Sequence, residues 1–183
     1  MKKSLVLIPV TAMSLLISAH VSAAPNTVTF LGEVTSQTCT VAINGNKVSP
    51  VVLLAAVNSS ELTAAGSVAK PTTFDISVSG CTANPAATTT ISSKFAGNSI
   101  TGAGNLGNVA TGASAATKAD IQILDTASAP INFTTPFTAG GDLTLAIGAT
   151  DASATYTAQY ISEAGAATPG AVQASMQYAV SYN

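Results

Sequence analysis

Apolar and polar positions alternate with a period of two along much of this 183-residue chain. Side chains of an extended strand point alternately to opposite faces, so that period predicts β-strands. The most regular run is 174–183, which places Ala174, Met176, Tyr178, Val180 and Tyr182 on one face. A second run, 28–34, puts Val28, Phe30, Gly32 and Val34 in phase. In 73–79, Phe74, Ile76 and Val78 oppose Asp75 and Ser77, with Gly80 and Cys81 closing the segment. Further strands are expected at 38–43, 48–54 (with a bend at Pro50), 88–95, 119–125, 130–137, 143–147 and 154–162.

Turn chemistry separates these runs. Asn44-Gly45-Asn46, Asn84-Pro85, Gly97-Asn98 and Thr168-Pro169-Gly170 all carry residues that favour tight turns. Residues 97–117 are mostly Gly, Ala, Asn, Ser and Thr and predict a long loop with one short strand near 106–109. Only 59–66 has a helical reading, capped by Ser59 or Ser60 and ended by Gly66. Many short strands between such turns imply an all-β sandwich. It is Ig-like if its connections follow a Greek key, which periodicity leaves open.

Composition narrows the function. Lys2 and Lys3, an apolar stretch over 5–17 and the small residues Val21-Ser22-Ala23 form a secretory signal with cleavage before Ala24. The apolar stretch falls short of the ~20 residues that span a bilayer. The remaining 160 residues suffice for one domain. They carry four lysines, no arginine and eight carboxylates, a formal charge of −4. That balance disfavours nucleic acid and anionic membrane surfaces.

The only histidine, His20, lies in the signal. Without imidazole, Ser-His-Asp and Cys-His catalysis are excluded and a zinc site is disfavoured. The chain is therefore expected to be no enzyme and to use neither metal nor cofactor. Asp120, Asp125, Asp142 and Asp151 match no calcium loop and read as solvated surface. Cys39 and Cys81 are the only cysteines, and an even count in an exported chain favours a disulfide. It would close a loop of about 43 residues, worth roughly 3–4 kcal/mol in the chain-entropy account.

A strand with an apolar face needs a neighbour along its edge and a lid over that face. The run 174–183 has no following strand to supply one, and 28–34 is a loose strand of complementary pattern. A groove of this kind, with unpaired backbone along its edges, accepts an added strand whose alternate side chains enter pockets.

On these residues the chain resembles the chaperone–usher pilins, in particular the major subunits of type 1 fimbriae. The resemblance covers essentially all of the chain after the signal. It rests on the run 28–34 with its inward Gly32, on Cys39 and Cys81, and on Phe74-Asp75-Ile76-Ser77-Val78-Ser79-Gly80-Cys81. It rests also on Tyr156-Thr157-Ala158-Gln159-Tyr160, on Gly170 fourteenth from the last residue, and on Tyr182 in the penultimate place. Gln159 stands where the family pattern has a basic residue, a departure expected to alter the surface and not the fold.

The resemblance implies an incomplete Ig-like β-sandwich lacking its last strand, completed by a donor strand from a neighbouring subunit. Residues 1–23 are then the signal, 24–36 the donor extension and 37–183 the pilin domain. Val28, Phe30, Gly32 and Val34 form the donor strand. Gly170, Met176, Tyr178, Val180 and Tyr182 belong to the acceptor groove, which a periplasmic chaperone occupies first. At an outer-membrane usher the next subunit's 28–34 replaces the chaperone. The expected product is an extracellular fimbrial rod of identical or related subunits. A minor adaptor or terminator pilin and a secreted, self-complemented binding module are the alternatives.

Overall fold

The structure, a computed structural model, describes residues 39–182. The signal and the 28–34 strand expected from the sequence lie outside the described residues. Among the described residues eight strands form: β1 (Thr40–Ile43), β2 (Ser67–Ser79), β3 (Thr89–Gly97), β4 (Asp120–Leu124), β5 (Phe137–Thr138), β6 (Leu143–Leu145), β7 (Ala152–Ser162) and β8 (Met176–Tyr182). One sheet has the order β1-β2-β7-β4. In the other, β5 and β6 pair with β3, and β8 also pairs with β3. Every strand pair is antiparallel.

The core lies between the sheets. Phe74, Ile76 and Val78 of β2 and Tyr156 of β7 meet Ile91 and Phe95 of β3 and Leu143 and Leu145 of β6, all at most 2% exposed. The Tyr156 ring packs edge-on against Phe95 at 5.1 Å and stacks with Phe74 at 5.9 Å. These are geometries aromatic pairs favour. Asn44 and Gly45 both take positive φ, 47° and 76°, so the Asn-Gly pair turns the chain after β1, as a tight hairpin turn of this residue type does.

Cys39 and Cys81 are disulfide-bonded. β1 and β2 are adjacent and antiparallel, pairing Thr40 with Ser79, so the two cysteines flank the end of that ladder.

Several boundaries differ from the sequence expectation. Residues 48–54 enter no sheet. The Asn46 side-chain oxygen accepts from the Val48 and Ser49 amides, and Pro50 has no amide hydrogen to give a ladder. Residues 130–137 form no continuous strand: Pro130 makes only an isolated bridge to Leu124 and Phe137 alone joins a sheet, while the Asn132 side chain captures the Thr134 amide and hydroxyl and turns the chain between them. β2 begins at Ser67, six residues before the expected start. Lys70 (φ 54°) and Pro71 sit in a register shift between Ala69 and Thr72, where a bulge tolerates the missing amide hydrogen. The expected short helix is a 3-10 turn, Ser59–Leu62. Its cap is Asn58, which accepts from the Ser60 amide while Glu61 accepts from the Asn58 amide.

Candidate functional site

β8 runs along one edge of the second sheet. Its register with β3 pairs Tyr182 with Ile91, Val180 with Ser93, Tyr178 with Phe95 and Met176 with Gly97. Directly opposed residues on antiparallel strands share a face. Met176, Tyr178, Val180 and Tyr182 therefore point toward the core, as their alternation predicts. They stay half-buried although they pack on the core, while the β3 residues Ile91 and Phe95 beside them are fully buried. Among the described residues, no strand pairs with the other edge of β8.

A second apolar segment is 50–57. It is extended, with Val52, Leu54 and Val57 half-buried and Val51 and Leu53 exposed. Among the described residues, residues 51–57 form no backbone ladder. An open cavity of about 310 Å3 lies at the 54–57 end of this segment. Leu54, Val57, Leu62, Gly170, Ala171 and Val172 are among its lining residues. At the far end of β8, the Cys39 amide donates to the Tyr182 hydroxyl at 2.9 Å. The disulfide-bonded Cys39 thus lies at the C-terminal end of β8.

Gly170 sits beside this cavity and not on β8. Its φ of 155° lies in the region L residues avoid. A Cβ built there would meet the Ala116 amide nitrogen at 2.3 Å and the Ala115 carbonyl carbon at 2.5 Å. The glycine lets 170–171 press against the backbone of 114–116. There the Ala171 amide donates to Ser114 O at 2.7 Å and the Ala116 amide donates to Ala171 O at 2.9 Å.

The 97–117 segment is consequently no free loop. Asn108 pins it to the chain leading into β8. Its side-chain nitrogen donates to the Ala116 and Ala171 carbonyls. Its side-chain oxygen accepts from the Ala110 and Gln173 amides. Its own amide donates to Asp120 Oδ1 at 2.9 Å. Burial raises the Asp120 pKa, with the charge of Glu163 adding to the effect and the Asn108 amide opposing it. The expected short strand near 106–109 reduces to bridges from Leu106 to Ile100 and Ile121. Sequence reasoning missed Asn108, since one asparagine in a Gly/Ala/Ser-rich run carries no distinguishing signal.

Two expectations about polar residues are corrected. Gln159 is not at the surface but 8% exposed. It lies opposite Gln122 on β4 and donates to it at 2.8 Å. Gln122 donates to Asn105, and Asn105 with Thr101 donates to Glu163. A buried position needs its hydrogen bonds made internally, and an amide pair supplies them across this ladder. Asp142 is also not solvated surface. One of its oxygens accepts from the buried Tyr156 hydroxyl and the other from the Ser93 amide, both at 2.7 Å. Burial and the Asp142 carboxylate hold the Tyr156 pKa well above its ordinary value. Asp120 is half-buried. Asp125 closes a turn by accepting from the Ala127 and Ala129 amides. Asp151 is exposed. Among the described residues, no three His, Cys, Asp or Glu side chains are placed to hold a metal.

The described residues define a class: an all-β sandwich domain whose β8 presents a half-buried apolar row. The comparisons with known proteins agree. The family described as fimbrial protein matches residues 28–183. The chain is 36% identical over 173 residues to the major fimbrial subunit SMF-1 of Stenotrophomonas maltophilia (strain K279a), covering 88% of this chain and 95% of that protein. Its fold is that of the P pilus rod subunit PapA (TM-score 0.55, 20% identity, 79% of this chain and 99% of that one). It is equally that of a subunit from a solved chaperone–usher pilus (TM-score 0.58, 21% identity, 91% and 100%). The chain belongs to the fimbrial protein family. It is an all-β, Ig-like structural subunit and not an enzyme.

Proposed function

We propose that this subunit polymerises by donor-strand exchange into the rod of a chaperone–usher fimbria, as its major pilin. The observation that carries the reading is the core-facing row Met176, Tyr178, Val180 and Tyr182, half-buried on a strand whose other edge has no partner among the described residues. Residues 24–36 are the donor extension and 37–183 the acceptor domain. Val28, Phe30 and Val34 of one subunit enter the groove between β8 and 50–57 of the next. Fully burying three such side chains contributes roughly 5–8 kcal/mol as an upper figure. Gly32 takes the inward position where the groove is shallowest.

The contact is heterologous: one subunit's extension meets another subunit's groove, so it propagates into an open filament. A periplasmic chaperone lends the missing strand before assembly, and an outer-membrane usher is the place of exchange. The subunit is exported to the periplasm after removal of 1–23 and ends on the cell surface. The identity to a major fimbrial subunit across nearly its whole length supports the major-pilin role.

The test is electron microscopy and size analysis of the mature chain, intact and lacking 24–34. Long SDS-resistant fibres that vanish on deletion are expected, and Gly32→Leu is expected to abolish them by overpacking the groove. A stable monomer from both chains, or normal fibres from Gly32→Leu, would overturn the reading. The first result would favour a self-complemented binding module.

A further inference from the structure

Val51 and Leu53 are 72% and 83% exposed. They alternate with Val52 and Leu54, which pack on the core from the same segment. Two large aliphatic side chains in water on a groove wall leave a cost unexplained by the monomer, because scattered single exposures are ordinary but an in-phase pair beside an unladdered backbone is not. The chain outside the described residues supplies the complement. In 28–34 the positions out of phase with Val28, Phe30, Gly32 and Val34 are Thr29, Leu31 and Glu33. Leu31 is the one large apolar residue among them.

We infer that Leu31 of the inserted extension packs across the strand pair onto Val51 and Leu53 of the acceptor subunit, so that the exchanged strand is apolar on both faces. The inference rests on the donor-strand reading and specifies its partner surface. A strand laid between β8 and 50–57 with Phe30 directed inward must direct Leu31 outward. Outward there means the side of the sheet on which Val51 and Leu53 stand. On the β8 side its neighbours are Gln177 and Ala179, both exposed. Of the two flanking walls, then, only 50–57 offers large apolar contact to Leu31. Cross-strand apolar pairs of this type are worth enough to slow dissociation by about fivefold.

The experiment uses fibres of the full mature chain and follows monomer release in guanidinium over time. Four proteins are compared: wild type, Leu31→Ser, Val51→Ser with Leu53→Ser, and the triple variant. Val51 and Leu53 lie off the core, and circular dichroism of the assembled fibres before guanidinium is added checks that each variant folds. Each of the two single-side variants is expected to release monomer about fivefold faster, and the triple variant no faster than either. Leu31→Ser fibres as durable as wild type would overturn the inference. So would effects that multiply in the triple variant, or an effect of Val51→Ser with Leu53→Ser alone, since the row would then be covered by something other than Leu31. Phe30→Ser separates the two levels. If it leaves assembly and release unchanged, or if the wild type forms no fibre, the donor-strand reading fails and the inference with it.

Discussion

Replacing Gly170 with alanine tests how the end of the groove is built. The φ of 155° is strained for any residue with a Cβ, at a cost of about 1–3 kcal/mol. The added methyl also meets backbone, not a side chain that can swing aside: Ala116 N at 2.3 Å and Ser114 O at 2.7 Å. Relief requires 170–171 to move away from 114–116. That loosens the two backbone hydrogen bonds joining Ala171 to Ser114 and Ala116, each worth roughly 0.5–1.5 kcal/mol net. The total comes to about 2–6 kcal/mol. At about 2–4 °C per kcal/mol for a domain of this size, the melting temperature should fall by at least about 4 °C. Urea unfolding of the mature chain, disulfide intact, reads the loss as a lower midpoint at unchanged slope. Gly102→Ala is the control, since nothing lies within 4 Å of a Cβ there. A loss under about 1 kcal/mol for Gly170→Ala, or equal losses at both positions, would refute the close-approach argument.

Asn108→Ala removes four side-chain hydrogen bonds and should cost about 2–4 kcal/mol. Hydrogen exchange should quicken at Ala110, Ala116 and Gln173 while the β2–β7 ladder stays protected. Tyr156→Phe leaves one Asp142 oxygen without its 2.7 Å donor and should destabilise by roughly 1–3 kcal/mol, read by the same urea titration. The folded Tyr156 pKa lies above the unfolded value of 10.0. The stability this confers is complete below pH 10 and is lost as pH rises above it. Alkaline unfolding should therefore be steeper in wild type than in Tyr156→Phe. Asp120 follows the same sign over an acidic interval, so at neutral pH its cost is already in place. Its folded pKa is raised above 3.8, so the folded state binds the extra proton and stability falls as pH rises through the interval above 3.8. Asp120→Asn keeps an oxygen acceptor for the Asn108 amide. It should be as stable as wild type or more so at pH 7, with the difference shrinking as pH drops below about 4. Equal pH profiles for the two proteins would refute that assignment.

The alternation of Phe74, Ile76 and Val78, and of Met176, Tyr178, Val180 and Tyr182, named the faces these strands turn to the core. The Asn44-Gly45 turn and the Cys39–Cys81 bridge were equally legible. Each is local: a pleat projects successive side chains to opposite sides whatever lies beyond, a left-handed turn demands particular residues, and two cysteines in an exported chain have only each other. What the tertiary structure alone decided is which backbone meets which. Residues 48–54 look like a strand, yet Asn46 and Pro50 deny them a ladder, and they run beside the core with Leu54 lining the open cavity. Asn108, Gln159 and Asp142 are ordinary polar residues in the sequence. Each acquires its role from partners distant in sequence, up to 65 positions away. Such partnerships depend on how two sheets and a long loop pack together, and no periodicity along a single strand encodes that.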